Sequence, residues 1–151
     1  MQRIHLASAL LERDGRVLLV ASRYASHDAP LWNLPGGRQQ TPELLEETAI
    51  RELREETGMR GFIRELAYVA ESYDNDRHFL NAVFLADAEG EPNLPDAGDH
   101  VVAAEWIAVA TLSTRLIAAV VREPLLNFLC RQKRYTAFER ADISVRWFDE
   151  D

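Results

Sequence analysis

Three glutamates, Glu52, Glu55 and Glu56, stand in the short stretch from Arg51 to Gly58. In a helix the spacing i, i+3, i+4 puts them on one face. Like charges at that spacing repel, and a helix built only for stability would interleave lysines. Clustered carboxylates are what a hard divalent cation takes as oxygen ligands, and Mg²⁺ typically joins such groups to substrate phosphates. A phosphate-bearing ligand is therefore implied. Glutamate- and arginine-rich helices are also common solvated faces, and spacing alone does not separate the two readings.

The flanking residues do. Gly36 and Gly37 open the segment, Glu43 follows, and Arg51-Glu52-Leu53, Glu55-Glu56 and Gly58-Met59 complete it. This arrangement resembles the Nudix box at every defining position. The preceding Leu31-Trp32-Asn33-Leu34-Pro35 resembles the usual approach to that box, and the resemblance runs from Ile4 to about Leu129. It implies a Nudix hydrolase, which cleaves a nucleoside diphosphate linked to a further group by water attack on phosphorus. It also implies an α+β protein with the Nudix fold, an α/β/α sandwich around a central mixed β-sheet. The box would be loop, helix, loop.

Roles follow from the resemblance residue by residue. Glu52, Glu55 and Glu56 match the positions that hold the catalytic metal. Gly36 matches a glycine whose carbonyl completes the coordination, and Gly37 opens the box beside it. Arg51 matches an arginine that orients the box by pairing with a carboxylate, with Glu43 as its partner. The expected cofactor is Mg²⁺, with Mn²⁺ as a substitute. Such an ion aligns the diphosphate and lowers the pKa of the attacking water. Glu55 or Glu52 would take the water's proton. Outside the box, Asp99 and His100 are alternatives for a general base, though a loop histidine is more often a plain surface residue. Glu46 and Glu47 fall outside the pattern and read as solvated first-turn acids, favoured by the helix dipole.

The substrate is less legible. Pro42 stands where the box usually has glycine, and Leu44 where a small polar residue is common. Asp74 occupies the place where a proline would favour ADP-ribose. Tyr73 lies slightly short of the usual distance for a tyrosine that favours dinucleoside polyphosphates. The stretch Asp74 to Pro92 resembles the mutator-type nucleoside triphosphate pyrophosphatases. Arg122, however, stands where those enzymes carry the asparagine that reads 8-oxoguanine, which weakens that assignment. Arg23 is a candidate phosphate contact. Tyr24 and Trp32 could stack a base, with Trp32 the better candidate for core packing.

These residues need a frame. Apolar runs around Arg13-Asp14-Gly15 predict a hairpin between strands Ile4 to Leu11 and Val17 to Ser22. A loop rich in proline and glycine leads into the box. Thr41-Pro42 has the propensity of a helix start, whereas the resemblance implies a start near Leu45 or Glu46. Strands are expected after Gly61 and from His78 to Ala88, and mixed strand and turn from His100. A helix from Thr111 to about Gln132 is expected to break before Pro124. Ile143, Val145 and Trp147 alternate as a late strand. That strand could lie at a sheet edge or pair across a homodimer.

The chain has 151 residues, a net charge of −8 and a pI near 5.0, and is 47% hydrophobic. That fits one domain over residues 1–151, with 131–151 as a C-terminal extension lacking a counterpart in the family pattern. The acidic balance argues against nucleic acid as a partner, which needs a basic face. It leaves a nucleotide substrate open, because a divalent ion reverses the local charge. No apolar run reaches membrane-spanning length and no secretory pattern opens the chain, so the expected location is the cytoplasm. The lone Cys130 sits among apolar residues and reads as a core or semi-buried thiol. Two functions remain. The first is a Mg²⁺-dependent pyrophosphohydrolase acting on a nucleoside triphosphate or another nucleoside diphosphate derivative. The alternative is a non-catalytic Nudix domain that senses a nucleotide.

Overall fold

Alternating burial along the first strands divides the molecule into layers. The structure, a computed structural model, describes residues 1–94 and 100–139. In chain order come β1 (Gln2–Leu10), β2 (Glu12–Arg13), β3 (Arg16–Ser22), β4 (Leu31–Asn33), β5 (Gly36–Arg38) and α1 (Leu45–Thr57). There follow β6 (Gly61–Tyr73), β7 (Arg77–Ala88), β8 (Val101–Ala108), α2 (Leu112–Arg115), α3 (Ala119–Arg131) and β9 (Tyr135–Phe138). Ala7, Ala9, Leu11 and Leu18 face Ala49 and Leu53 of α1. Leu10, Val17 and Leu19 face the other way, against Leu112, Leu116 and Leu125. The strands therefore form a layer between α1 on one side and α2–α3 on the other.

That layer contains two sheets. The larger is mixed, in the order β5-β1-β7-β6-β9, with β1–β7 and β6–β9 parallel. The smaller is antiparallel, with β8 along one edge of β3 and with β2 and β4 on the other. This is the α+β sandwich with a mixed central sheet that the box implied.

Several expectations change in detail. The Asp14-Gly15 turn forms with both residues at positive φ, 52° and 74°, as a two-residue hairpin requires. It joins β3 to the short β2, however, while β1 pairs with β5 and β7 in the other sheet. The C-terminal helix breaks at residues 116–118, ahead of α3, and runs through Pro124. Arg122 stabilises that break, because its Nη1 donates to the Leu116 and Ile117 carbonyls at 3.1 and 3.0 Å. Cys130 is exposed. The buried stripe of α3 runs through Leu125 and the half-buried Phe128 and Leu129, which turns the last residues outward. The alternating segment at Ile143, Val145 and Trp147 lies outside the described residues. β9, which the sequence did not announce, pairs in parallel with β6 from Val69 to Ser72. No helix among the described residues is long and apolar enough to cross a membrane.

Candidate active site

The box folds as loop, helix, loop. α1 begins at Leu45, so Thr41-Pro42 does not start it. Glu43 explains why. Its carboxylate accepts from the Gln40 N–H at 3.0 Å, Thr48 Oγ1 at 2.7 Å, and Arg51 Nε and Nη2 at 2.8 and 2.9 Å. Four donors converging on this group hold the loop off the helix and cover the start of α1. Glu47 is an exposed first-turn acid, as expected, and it also accepts the Leu44 N–H at 3.0 Å and so caps the helix. Gly58 ends the helix at φ 75°, a left-handed cap whose N–H donates to the Arg54 carbonyl at 2.8 Å.

Arg51 is the hub of the site. Besides Glu43, its Nη1 reaches Glu52 Oε1 at 2.9 Å and Glu55 Oε2 at 3.1 Å, and its Nη2 reaches the Arg38 carbonyl at 3.0 Å. The guanidinium thus ties the loop, β5 and two of the three clustered glutamates together. Hydrogen bonds from Arg51 hold the Glu43 carboxyl far below its ordinary range, at about 2. The same contact with Glu43 raises the Arg51 pKa.

The third glutamate is held from the other side. Glu56 Oε1 accepts the Gly36 N–H at 2.8 Å. Gly36 lies against β1 so closely that a Cβ would meet Ser8 Oγ and come within 2.5 Å of the Ala7 carbonyl. A Cβ on Gly37 would stand 2.6 Å from Glu52 Oε1. The two glycines therefore do different work: Gly36 lets β5 pair with β1, and Gly37 leaves room for the Glu52 carboxylate.

These groups open onto one cleft of about 450 Å³. Glu52, Glu55 and Glu56 line one part of it, with Gly36 and Gly37 beside them. Arg23, Arg38 and His100 line it too, so acidic and basic groups share the cavity. The backbone places two of these, since the Arg23 N–H donates to the His100 carbonyl at 2.9 Å where β3 ends and β8 begins. Arg38, Gln39 and Gln40 were missed by sequence reasoning. Their signal was simple: a basic residue and two amides directly follow the glycine pair.

Tyr24 also lines the cleft. Burial, and next the charge of Glu56, push its hydroxyl up to about 12, so it remains a neutral phenol. Trp32 packs against the core and carries the Arg115 guanidinium 4.6 Å above its ring. Tyr73 and Arg122 are not among the cleft-lining residues. Tyr73 ends β6 and meets the His78 ring edgewise at 6.1 Å. Arg122 serves the helix break described above. Asp99 lies outside the described residues.

The donor set suits a hard cation by type: three carboxylates and a backbone carbonyl, beside a strand in which Gly36 leaves no room for a Cβ. As they stand, no three His, Cys, Asp or Glu side chains among the described residues are gathered to hold a metal ion. One oxygen of each is engaged within the site, Glu52 Oε1 and Glu55 Oε2 by Arg51 and Glu56 Oε1 by the Gly36 N–H.

Comparison with known proteins identifies the family. The NUDIX domain family model matches residues 1–128. The chain is 39% identical over 70 residues to the CTP pyrophosphohydrolase of Escherichia coli K12, covering 46% of this chain and 50% of that protein. It is 32% identical over 105 residues to the ADP-ribose pyrophosphatase of Methanocaldococcus jannaschii, covering 68% and 60%. Each match thus spans only 50–60% of the relative's length. The crystal structure of the MutT NUDIX hydrolase from Burkholderia pseudomallei has a TM-score of 0.65 at 33% identity, covering 73% of this chain and 86% of that one. From residue 1 to residue 128, this chain belongs to the NUDIX domain family.

Proposed function

We propose that this protein is a divalent-cation-dependent pyrophosphohydrolase, with Mg²⁺ as the working ion and a nucleoside triphosphate or other nucleoside diphosphate derivative as substrate. One observation carries the reading: three glutamates, the glycine pair and two arginines line a single cleft. Members of the family generally require a divalent cation, and the relatives named above act, by their names, on CTP and ADP-ribose.

When bound, the cation would neutralise the diphosphate oxygens and acidify the attacking water. Glu52, Glu55 and Glu56 would hold it, with the Gly36 carbonyl. Arg51 and Glu43 keep α1 and the β5 loop in fixed relation, so the carboxylates stay at the cleft wall. Arg23 and Arg38 supply positive charge to phosphate oxygens that the carboxylates would otherwise repel. Glu55 is half-exposed at the cleft mouth, with 53% of its side chain accessible, which suits the group that takes a proton from water and passes it to solvent.

The test is phosphate or pyrophosphate release from a nucleotide panel with Mg²⁺ and with Mn²⁺. Turnover of at least one phosphoanhydride, abolished by a chelator and strongly reduced in Glu56→Gln, is expected. An undiminished rate in Glu56→Gln would remove the reading. Nucleotide binding without cation-dependent turnover would favour the sensor alternative.

A further inference from the structure

The two buried threonines of α1 behave differently, although both are fully enclosed. Thr57 does what a helix threonine ordinarily does: its hydroxyl donates to the carbonyl four residues back, that of Leu53, at 2.6 Å. The Thr48 hydroxyl stands 3.2 Å from the equivalent carbonyl, that of Leu44, and 2.7 Å from Glu43 Oε1. A hydroxyl has one hydrogen. The shorter contact, to a charged oxygen, is the stronger one. The Leu44 carbonyl, moreover, already accepts the Thr48 N–H at 2.9 Å. Thr48 therefore gives its hydrogen to Glu43. Leu44, at the cap of the helix, makes no side-chain hydrogen bond there, so the hydroxyl that meets the box loop comes from one turn further along.

We propose that Thr48 is a positioning residue of the cation site, acting through Glu43 and Arg51, an inference that rests on the reading of the cleft given above. Arg51 donates to Glu43 twice, from Nε to Oε2 at 2.8 Å and from Nη2 to Oε1 at 2.9 Å. Such a parallel pair brings carboxylate and guanidinium into one plane. The pair by itself does not fix how that plane sits against α1. Thr48 and the Gln40 N–H do, because both donate to Glu43 Oε1 from outside the pair. The guanidinium is rigid, so holding its Nε–Nη2 edge determines where Nη1 points. Nη1 meets Glu52 Oε1 and Glu55 Oε2. The Thr48 hydroxyl thus orients two of the proposed cation ligands without touching cation or substrate.

Thr48→Val keeps the shape of the side chain and removes the hydroxyl, whereas Thr48→Ser keeps the hydroxyl. Mn²⁺ affinity is read by paramagnetic relaxation, well below the melting temperature of each protein. It should fall by about three- to tenfold in Thr48→Val, less than for a group that contacts a cation ligand directly. Thr48→Ser, with the same donor, should stay within about twofold of wild type. In an Arg51→Lys background, where the connection is already cut, Thr48→Val should change the affinity by less than about twofold. Wild-type affinity in Thr48→Val overturns the proposal. So does a loss that Thr48→Ser shares, which would assign the effect to packing. So does a full loss in the Arg51→Lys background, which would route the effect past Arg51. If Thr48→Val does not fold, NMR of the wild-type protein decides. The Thr48 hydroxyl proton should shift on addition of Mg²⁺ with the same midpoint as the Arg51 Nε–H, and an unmoved hydroxyl proton overturns the proposal. A wild-type protein that binds neither ion overturns the reading of the cleft itself, a different result from a cation site indifferent to the hydroxyl.

Discussion

At the scale of single residues, the site depends on one guanidinium with five hydrogen bonds. Arg51 braces Glu43, Glu52, Glu55 and the Arg38 carbonyl. A lysine cannot reproduce that planar fork. Arg51→Lys should lower cation affinity and activity together by roughly 10- to 100-fold, the range for groups that orient metal ligands. Titration with Mn²⁺ followed by paramagnetic relaxation measures the affinity, and an unchanged value would contradict this role. Glu43 adds a pH signature. Its folded carboxyl titrates at about 2, below its ordinary 4.5, so the stability it contributes is full above about pH 4.5. That contribution is lost as pH falls from there toward 2. Glu43→Gln should flatten this acid limb of the denaturation profile, while an unaltered slope in the variant would show that the pair does not couple to folding. Arg38 has its own readout: Arg38→Ala should raise KM for the substrate with little change in melting temperature.

At the scale of elements, three glycines separate architecture from chemistry. Gly36→Ala drives a Cβ into the backbone of β1, at the Ala7 carbonyl and Ser8 Cα. It should lower the melting temperature by breaking the β5–β1 pairing. Gly37→Ala meets only the Glu52 carboxylate, the mobile end of a side chain. It should fold well and lose activity. Equal melting temperatures for the two variants would contradict the distinction. Gly58→Ala, at φ 75°, should cost about 1 kcal/mol by forcing a Cβ into the left-handed region, with activity retained. Chemical denaturation measures all three.

At the scale of the whole molecule, the cleft lies at the β5 edge of the larger sheet and β9 at the opposite edge. Four strand steps of about 4.8 Å separate them, roughly 19 Å. β9 is held by its ladder with β6, by Tyr135 donating to Glu71 at 2.7 Å and by Asn127 donating to Thr136 at 3.1 Å. A chain ending at Arg131 should therefore melt at lower temperature and keep kcat and KM. A large loss of kcat on truncation would place the C-terminal segment in the site. The Glu71–His78 contact at 2.7 Å lies at the same end of β6, and neither residue lines the cleft.

The sequence by itself determined the chemistry that this protein can attempt. Residues close in sequence on one helix share a face by geometry alone, so Glu52, Glu55 and Glu56 were legible as a set, and the spacing of Glu43 and Arg51 followed from the box. The helix start was legible only through the family, because propensity favours Thr41-Pro42 and the convergence of Gln40, Thr48 and Arg51 on Glu43 overrides it. What only the tertiary structure decided concerns groups distant along the chain. Ser22, Arg23 and Tyr24 end one strand, Arg38 ends another and His100 begins a third, and only strand pairing brings them to the same cavity. Arg122 and Tyr73 sit at plausible sequence distances from the box, yet one is committed to the carbonyls of a helix break and the other to a sheet end. Local periodicity encodes which face a side chain takes, whereas the partner that face meets depends on sheet order, which a single sequence does not state.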